Sequence, residues 1–164
     1  MKSKEKSINK TNAARLLDKA GIEYGLIPYE VDEKELGAIH IAEQLNENID
    51  QVFKTLTLKG DRNGHFVCVI PGAKEVDLKI AAAVSGNKKC DLIPMKELLA
   101  VTGYIRGGCS PIGMKKPFPI YIDETVQLFE YIYVSAGVRG LQFKIAPRDL
   151  ISYTQANITP NLAK

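Results

Sequence analysis

The 164-residue sequence contains no apolar run approaching the roughly 18 residues that suggest a membrane span. Its N-terminal segment, MKSKEKSINK, is polar and lacks the apolar core of a secretory signal. Hydrophobic residues make up 45% of the chain and charged residues 25%, values that exclude a disordered chain. We therefore expect one globular domain that is cytoplasmic and has no membrane partner.

Cysteine and histidine are scarce, and neither is spaced as a metal site. Cys68, Cys90 and Cys109 lie about 20 residues apart without a C-x-x-C pair, and His40 and His65 are scattered. Free thiols of this kind fit a reducing compartment. We expect no metal and no cofactor.

A basic surplus is missing from the body of the chain. Residues 1–10 hold four lysines and one glutamate, which accounts for the net charge of +3, and the remainder is neutral. This balance argues against a general nucleic-acid binder. Seven acids lie in residues 30–50, whereas Arg106, Lys115 and Lys116 lie in a stretch without acids. An anionic partner should approach that basic stretch.

The predicted elements indicate an α+β domain with a mixed, largely antiparallel sheet and surrounding helices. Helices are predicted at Asn12–Ala20, Gly37–Asn46 and Leu78–Val84, after Pro94 and after Pro147. Single strands are predicted at Tyr24–Tyr29, near Leu92, at Tyr104–Ile105 and at Ile120–Ile122. Two hairpins are predicted, one that joins Val52–Leu58 to His65–Ile70 and one that joins Tyr131–Val134 to Leu141–Ile145. We expect a flexible basic tail at 1–10, the domain at 11–156, and a tail at 157–164 that frays.

Lys54 is the first residue that could carry chemistry. It lies in the predicted strand VFKTLTL and shares the apolar face with Val52, Leu56 and Leu58. Burying an ammonium without a partner is costly. Lys54 is therefore either an edge lysine with its head in water or a cleft lysine that donates to a carbonyl or hydroxyl of a ligand.

The segment GYIRGGCSPIGMKK, residues 103–116, is the second candidate. Gly107 and Gly108 allow close approach of the backbone to a ligand, although the segment could equally be a plain bend. Cys109 and Ser110 do not match the G-x-S-x-G nucleophile motif, and no histidine has a recognisable partner. A protein nucleophile is therefore the less favoured interpretation. A third feature, the turn Gly137–Gly140, presents Arg139, and a structural turn is its default interpretation.

Together these segments resemble the YbaK/EbsC family of aminoacyl-tRNA deacylases, which are related to the editing domain of bacterial prolyl-tRNA synthetases. The resemblance runs from about Thr11 to Leu150 and rests on the order and spacing of several motifs: QVFKTL at 51–56, DLK at 77–79, GYIRGGCSPIGMKK at 103–116, residues 119–123, and YVSAGVRGL at 133–141. It implies a barrel-like mixed sheet with surrounding helices.

The resemblance also assigns site residues. The family's central lysine matches Lys54, and Gly107 and Gly108 belong to the catalytic glycine loop. The implied substrate contacts are Tyr29, Leu36, Cys109, Ser110, Pro111, Gly113, Arg139 and Gln142, and the implied phosphate contacts are Arg106, Lys115 and Lys116. Two positions depart from the family pattern: Leu36 stands at an aromatic gate position, and Gln142 stands where some members have an acidic residue.

The implied activity is removal of cysteine mischarged on proline tRNA, with the glycine-loop N–H groups stabilising the oxyanion and Lys54 anchoring the substrate. The substrate thiol would attack its own carbonyl, a step favoured by proximity. A transient complex with prolyl-tRNA synthetase would supply tRNA specificity, with modest phosphate attraction from the basic residues. Hydrolysis and thiol-driven cyclisation need the same residues.

Two alternatives stay open. The same fold could edit another mischarged residue such as alanine, which offers no thiol and would need an activated water. The chain could also be a non-catalytic module that binds a synthetase or a charged tRNA, in which case Lys54 and the loop would bind without turnover.

Overall fold

The computed structural model describes residues 9–164, and within them the chain forms five α-helices and eight strands. The helices are α1 (Asn12–Lys19), α2 (Ala38–Leu45), α3 (Leu78–Val84), α4 (Leu98–Thr102) and α5 (Pro147–Thr154). The strands are β1 (Gly25–Pro28), β2 (Phe53–Gly60), β3 (Gly64–Pro71), β4 (Cys90–Leu92), β5 (Ile120–Asp123), β6 (Ile132–Ser135), β7 (Leu141–Ile145) and β8 (Asn157–Thr159).

The strands form two sheets rather than one. The smaller sheet has the antiparallel order β1-β7-β6, and the larger has the order β4-β2-β3-β5-β8, in which β3-β5 and β5-β8 are parallel. A parallel bridge between Val52 and Tyr133 joins the two sheets where β2 begins. The predicted α+β class with a mixed sheet is confirmed.

Local signals in the sequence fix most element ends. The Thr11 hydroxyl accepts from the Ala14 N–H at 3.1 Å and caps α1. In the same way the Asp77 carboxylate caps α3, and Pro147 occupies the first turn of α5. Both predicted hairpins are present, β2 with β3 and β6 with β7.

The core lies between the two sheets and α1. Phe53, Val69 and Ile122 of the larger sheet pack with Val134 and Phe143 of the smaller one. The opposite face of the larger sheet is covered by α3 and by the end of the chain, where Leu162 is fully buried. The larger sheet therefore has apolar residues on both faces, as expected of a strand layer covered on both sides.

Two sequence predictions are wrong. Tyr104–Ile105 is not a strand, because the Tyr104 N–H donates to the Thr102 hydroxyl at 3.0 Å and leads the chain into a loop. Residues 157–164 do not fray: β8 pairs with β5, and Ala163 bridges to Val76. The basic segment expected as a tail falls, except for residues 9 and 10, outside the described residues.

In the part of the chain that the structure describes, each helix is too short or too polar to cross a membrane.

Candidate functional site

A cavity of about 370 Å³ opens where the first half of β2 meets α2, the segment Leu92–Leu98 and the glycine-rich loop of residues 103–116. Strand β4 pairs with β2 over Leu58–Gly60, and the Ile93 N–H donates to the Thr57 carbonyl at 3.1 Å. Within residues 9–164, the edge of Phe53–Leu56 therefore has no strand partner on that side. The cavity wraps around this edge and takes side chains from both faces of β2. Its volume lies within the range of roughly 300–1,000 Å³ that is typical of ligand sites.

Close packing of backbone forms one wall of this cavity. A Cβ on Gly72 would lie 2.0 Å from the Ala38 Cβ, and the Gly72 N–H donates to the Val52 carbonyl at 2.7 Å. Only glycine at position 72 therefore lets the start of α2 approach β2. This contact places Ala38 and Ile41 opposite the β2 edge.

Lys54 lines the cavity and is half-buried. Burial lowers the pKa of its ammonium below the ordinary value, and the Glu75 carboxylate partly offsets that effect. Within residues 9–164, the ion pair at or below 4.0 Å joins Lys10 to Asp18, so Lys54 has no carboxylate at that distance. This environment favours the cleft lysine over an edge lysine whose head lies in water.

The two adjacent glycines of the loop have different roles. Gly107 lines the cavity at φ +84°, and a Cβ there would lie 3.3 Å from Arg139 Nε and 3.5 Å from Leu36 Cδ2. The Gly108 N–H donates to the Ile105 carbonyl at 2.9 Å, and a Cβ on Gly108 would lie 3.1 Å from the Val138 backbone. Within residues 9–164, the N–H groups of Gly107 and Cys109 have no backbone acceptor, so both are free to donate to a ligand beside the cavity.

Two side chains hold this loop from behind. Arg139 Nε donates to the Arg106 carbonyl at 2.8 Å. The Tyr104 hydroxyl donates to the Ile112 carbonyl. A Cβ on Gly113 would lie 2.9 Å from the Tyr104 hydroxyl oxygen, and a Cβ on Gly137 would lie 3.1 Å from its ring. Arg139 and Tyr104 are therefore supports of the loop rather than parts of the cavity wall.

Neither candidate nucleophile is activated. Burial raises the pKa of the Cys109 thiol to about 11. The Thr57 and Thr102 hydroxyls oppose that rise, although the Thr57 hydroxyl makes no hydrogen bond of regular geometry. Ser110 is fully buried, and its oxygen accepts from the Ile112 N–H at 3.2 Å. Among the described residues, the cavity offers no histidine to activate a serine or cysteine nucleophile.

Three buried oxygen atoms of the cavity wall have no hydrogen-bond partner within residues 9–164: Thr55 Oγ1, Thr57 Oγ1 and Gln142 Oε1. Thr55 and Thr57 share one face of β2. Gln142 lies on β7, opposite Ser135 of β6, which also lines the cavity. Because buried polar atoms are normally paired, these three mark the wall as a surface built to meet a polar ligand.

The structure divides the residues that the resemblance assigned to the site. The cavity wall contains Leu36, Lys54, Arg106, Gly107, Cys109 and Gln142. The other assigned residues lie outside it: Tyr29, Gly108, Ser110, Pro111, Gly113, Lys115, Lys116 and Arg139. Among these, Pro111, Gly113 and Lys116 line a separate cavity of about 680 Å³, and Tyr29 packs beside α2.

The basic residues are also divided. Arg106 lines the cavity, whereas Lys115 is exposed and its ammonium donates to the Ala100 carbonyl at 3.3 Å. The sequence analysis missed Thr55, Thr57 and Ser135. The alternation of two threonines beside Lys54 was the available signal, but it does not show that their hydroxyls lack partners.

In the described chain, no cluster of three or more His, Cys, Asp or Glu side chains is arranged to hold a metal ion.

Comparisons with known proteins agree with the motif resemblance. The family model of the aminoacyl-tRNA editing domain matches residues 34–153. A candidate Cys-tRNA(Pro)/Cys-tRNA(Cys) deacylase of Enterococcus faecalis, EbsC, is 46% identical over 152 residues, 93% of each chain. The YwhH protein of Bacillus subtilis is 24% identical over 75% of this chain and 78% of its own. A solved candidate trans-editing enzyme for prolyl-tRNA synthetase shares the fold, with a TM-score of 0.79 at 22% identity over 95% of this chain and 99% of its own.

Proposed function

This chain belongs to the aminoacyl-tRNA editing domain family, and we propose that it is a trans-editing deacylase that removes cysteine mischarged on proline tRNA. The observation that carries the proposal is the half-buried Lys54 ammonium beside the Gly107 loop in one cavity. The identity of 46% with the Enterococcus candidate deacylase supports the same substrate.

Two groups of this chain act on the scissile ester. Lys54 donates hydrogen bonds to oxygen atoms of the bound aminoacyl ester and fixes its position. Its charged form is an anchor rather than a base. The unpartnered N–H groups of Gly107 and Cys109 stabilise the negative charge that develops on the carbonyl oxygen. Preorganised donors of this kind typically contribute about 10²–10³ in rate each.

The nucleophile comes from the substrate. The cysteine thiol gives its proton to solvent water, its sulfur forms a bond to its own carbonyl carbon, and the bond from that carbon to the ribose oxygen breaks. The ribose oxygen takes up a proton from solvent water, so the protons balance. The released cyclic thioester then reacts with water to give cysteine. The role of the protein is to hold the thiol and carbonyl close together, which makes the attack intramolecular.

The cavity mouth suits the terminal adenosine of the tRNA. Leu92 and Met95 line the mouth and are 51% and 57% exposed. An apolar edge and a thioether offer favourable contacts to a planar base. Arg106, exposed on the same cavity, is placed to meet the adjoining phosphate.

The tRNA identity is read by a partner rather than by this chain. Apart from residues 1–10, the sequence carries equal numbers of basic and acidic residues, so it offers little attraction to a polyanion. A transient complex with prolyl-tRNA synthetase would supply that recognition.

Added synthetase should raise the deacylation rate at low protein concentration. An unchanged rate would show that this chain selects its tRNA alone.

The deciding experiment measures loss of cysteine, alanine and serine from proline tRNA under single-turnover conditions. The proteins are the wild type, Lys54→Ala and the control Lys59→Ala, an exposed lysine on the same strand. We expect rapid loss of cysteine alone, a fall of about a hundredfold or more in Lys54→Ala, and a normal rate in Lys59→Ala.

Other results select the alternatives. Equal loss of alanine would replace the substrate thiol with an activated water and make the chain a general editing enzyme. Loss of none of the three, together with retained tRNA or synthetase binding, would make it a non-catalytic binding module.

A further inference from the structure

The unpartnered oxygen atoms of the cavity wall define a chemical requirement for the ligand. Thr57 and Gln142 are 4% and 2% exposed, and the side-chain oxygens of both, together with that of Thr55, are buried and line one cavity. The Gln142 oxygen can only accept a hydrogen bond, and a threonine hydroxyl can accept as well as donate. A ligand that satisfies all three must bring several donors to one place.

We propose that Thr55, Thr57 and Gln142 form a cradle for the α-amino group of the aminoacyl substrate, an inference that rests on the proposed deacylase function. A protonated amino group has three N–H donors, which matches the three unpaired oxygen atoms of the cavity wall. The side chains of cysteine, alanine and serine offer one donor at most. The amino group is therefore the part of a small aminoacyl ester that fits the cradle.

The charge pattern of the cavity supports this orientation. Among residues 9–164, no aspartate or glutamate lines the cavity, so the amino group meets neutral acceptors. Lys54 lies between Phe53 and Thr55 along β2, and alternation directs its side chain to the face opposite Thr55 and Thr57. The amino group thus lies at the threonine end and the ester oxygens at the lysine end, which keeps the two cations apart.

Packing does not explain the missing partners, because buried hydroxyls elsewhere in the described chain have them. Thr102 donates to the Leu98 carbonyl at 2.8 Å, and Thr159 donates to the Asn157 carbonyl at 3.0 Å. Leaving hydroxyls unpaired costs stability. The cavity therefore keeps hydrogen-bond acceptors that are available to a ligand.

The first test measures ligand affinity by calorimetry. The probes are a cysteinyl-adenosine joined by an amide in place of the ester, which cannot be deacylated, and the same compound acetylated on its α-amino nitrogen. We expect the acetylated probe to bind the wild type about a hundredfold more weakly. Thr55→Val, Thr57→Val and Gln142→Met should each weaken binding of the free-amine probe about tenfold without weakening the acetylated probe further.

The second test separates this role from a structural one. Thr57→Val should raise the melting temperature while it weakens the free-amine probe, because it removes a buried hydroxyl without a partner. The matched control Thr159→Val removes a buried hydroxyl that has one, so it should lower the melting temperature and leave binding unchanged.

The outcomes are distinguishable from a failure of the proposed function. Selective binding of the free-amine probe without deacylation of cysteine would refute the deacylase and keep the cradle. Equal affinity for both probes, equal losses in the variants for both probes, or no binding of either would overturn the cradle, whatever the deacylation rate.

Discussion

The buried hydroxyl groups of this molecule fall into two sets. Those that support the scaffold, such as Thr102 and Ser110, each have a backbone partner. Those at the edge of β2, Thr55 and Thr57, have none within the described residues. Threonine occurs in both sets, so residue type does not distinguish them; their position on β2 beside the cavity does.

This difference shows where the fold gives up stability for binding. Within the described residues, the strand edge of Phe53–Leu56 lacks a partner strand, and the Thr55 and Thr57 hydroxyls stay unpaired. Burial lowers the pKa of Lys54 on the same edge. Each feature is unfavourable in the free protein. All three occur on one half of one strand, as expected for a site whose ligand supplies the missing contacts.

The largest expected difference between cavity and scaffold is in deacylation activity, when a glycine at the cavity and a glycine away from it are each changed to alanine. Gly107 and Gly64 both have positive φ, +84° and +74°, but a Cβ on Gly64 meets nothing within 4 Å. Gly107→Ala and Gly64→Ala should each lose about 1–2 kcal/mol of unfolding free energy from backbone strain. Only Gly107→Ala should also lose deacylation, about a hundredfold, because the loop shifts against Arg139 and Leu36. Normal activity in Gly107→Ala would remove the loop from the reaction.

Removing a hydroxyl from each of the two sets should change the unfolding free energy in opposite directions. Ser110→Ala leaves the Ile112 N–H without its partner and should lower the unfolding free energy by about 1–3 kcal/mol. Thr57→Val removes an unpaired hydroxyl and should raise the unfolding free energy by about 1 kcal/mol. Urea denaturation measures both. A destabilised Thr57→Val would mean that its hydroxyl has a partner in the free protein.

The stability contribution of Lys54 should depend on pH. Its folded-state pKa is lowered by burial and lies below the ordinary value of 10.5. The folded state therefore disfavours the charged form, and stability rises as the pH passes through the lowered value toward 10.5. Lys54→Met should raise the melting temperature at neutral pH, and the gain should shrink as the pH approaches 10.5.

A change at Glu75 tests the pKa of Lys54 without altering the lysine itself. Its carboxylate raises the pKa of Lys54, so Glu75→Gln should lower that pKa further and shift the stability rise to lower pH. An unchanged pH profile in both Lys54→Met and Glu75→Gln would show that the Lys54 ammonium is solvated.

Cys109 should show the smallest effect. It lines the cavity, but burial raises the pKa of its thiol to about 11. Because the thiolate is the reactive form, iodoacetamide should modify Cys109 slowly at neutral pH and faster as the pH approaches 11. Mass spectrometry follows the modification. Rapid alkylation at pH 7 would reopen a nucleophilic role.

Local sequence signals predicted most of the fold because capping and turn residues act over a few positions. Thr11 and Gly21 bound α1, and the turn at Asp61–Gly64 sets the register of β2 with β3. Long-range contacts were not predictable: nothing local shows that Asn157–Thr159 adds in parallel to β5, or that Tyr104 packs against Gly113 and Gly137 instead of forming a strand.

The candidate site was predictable in part for the same reason. Lys54 stood out as a cation on an apolar strand face, and the loop stood out by its glycines. Sequence does not show how the loop folds, and so could not separate Gly107 at the cavity from Ser110 and Gly113 behind it. Nor does it show that Thr55 and Thr57 lack partners, since that depends on the side chains that distant segments place around the same cavity, such as Cys109, Ser135 and Gln142.

A crystal structure with the amide-linked cysteinyl-adenosine bound tests the central claim most directly. We expect its amino group within hydrogen-bond distance of Thr55, Thr57 and Gln142, and its carbonyl oxygen beside Gly107 at the Lys54 end. A ligand bound in the reverse orientation, or in the separate cavity lined by Pro111 and Gly113, would contradict the account.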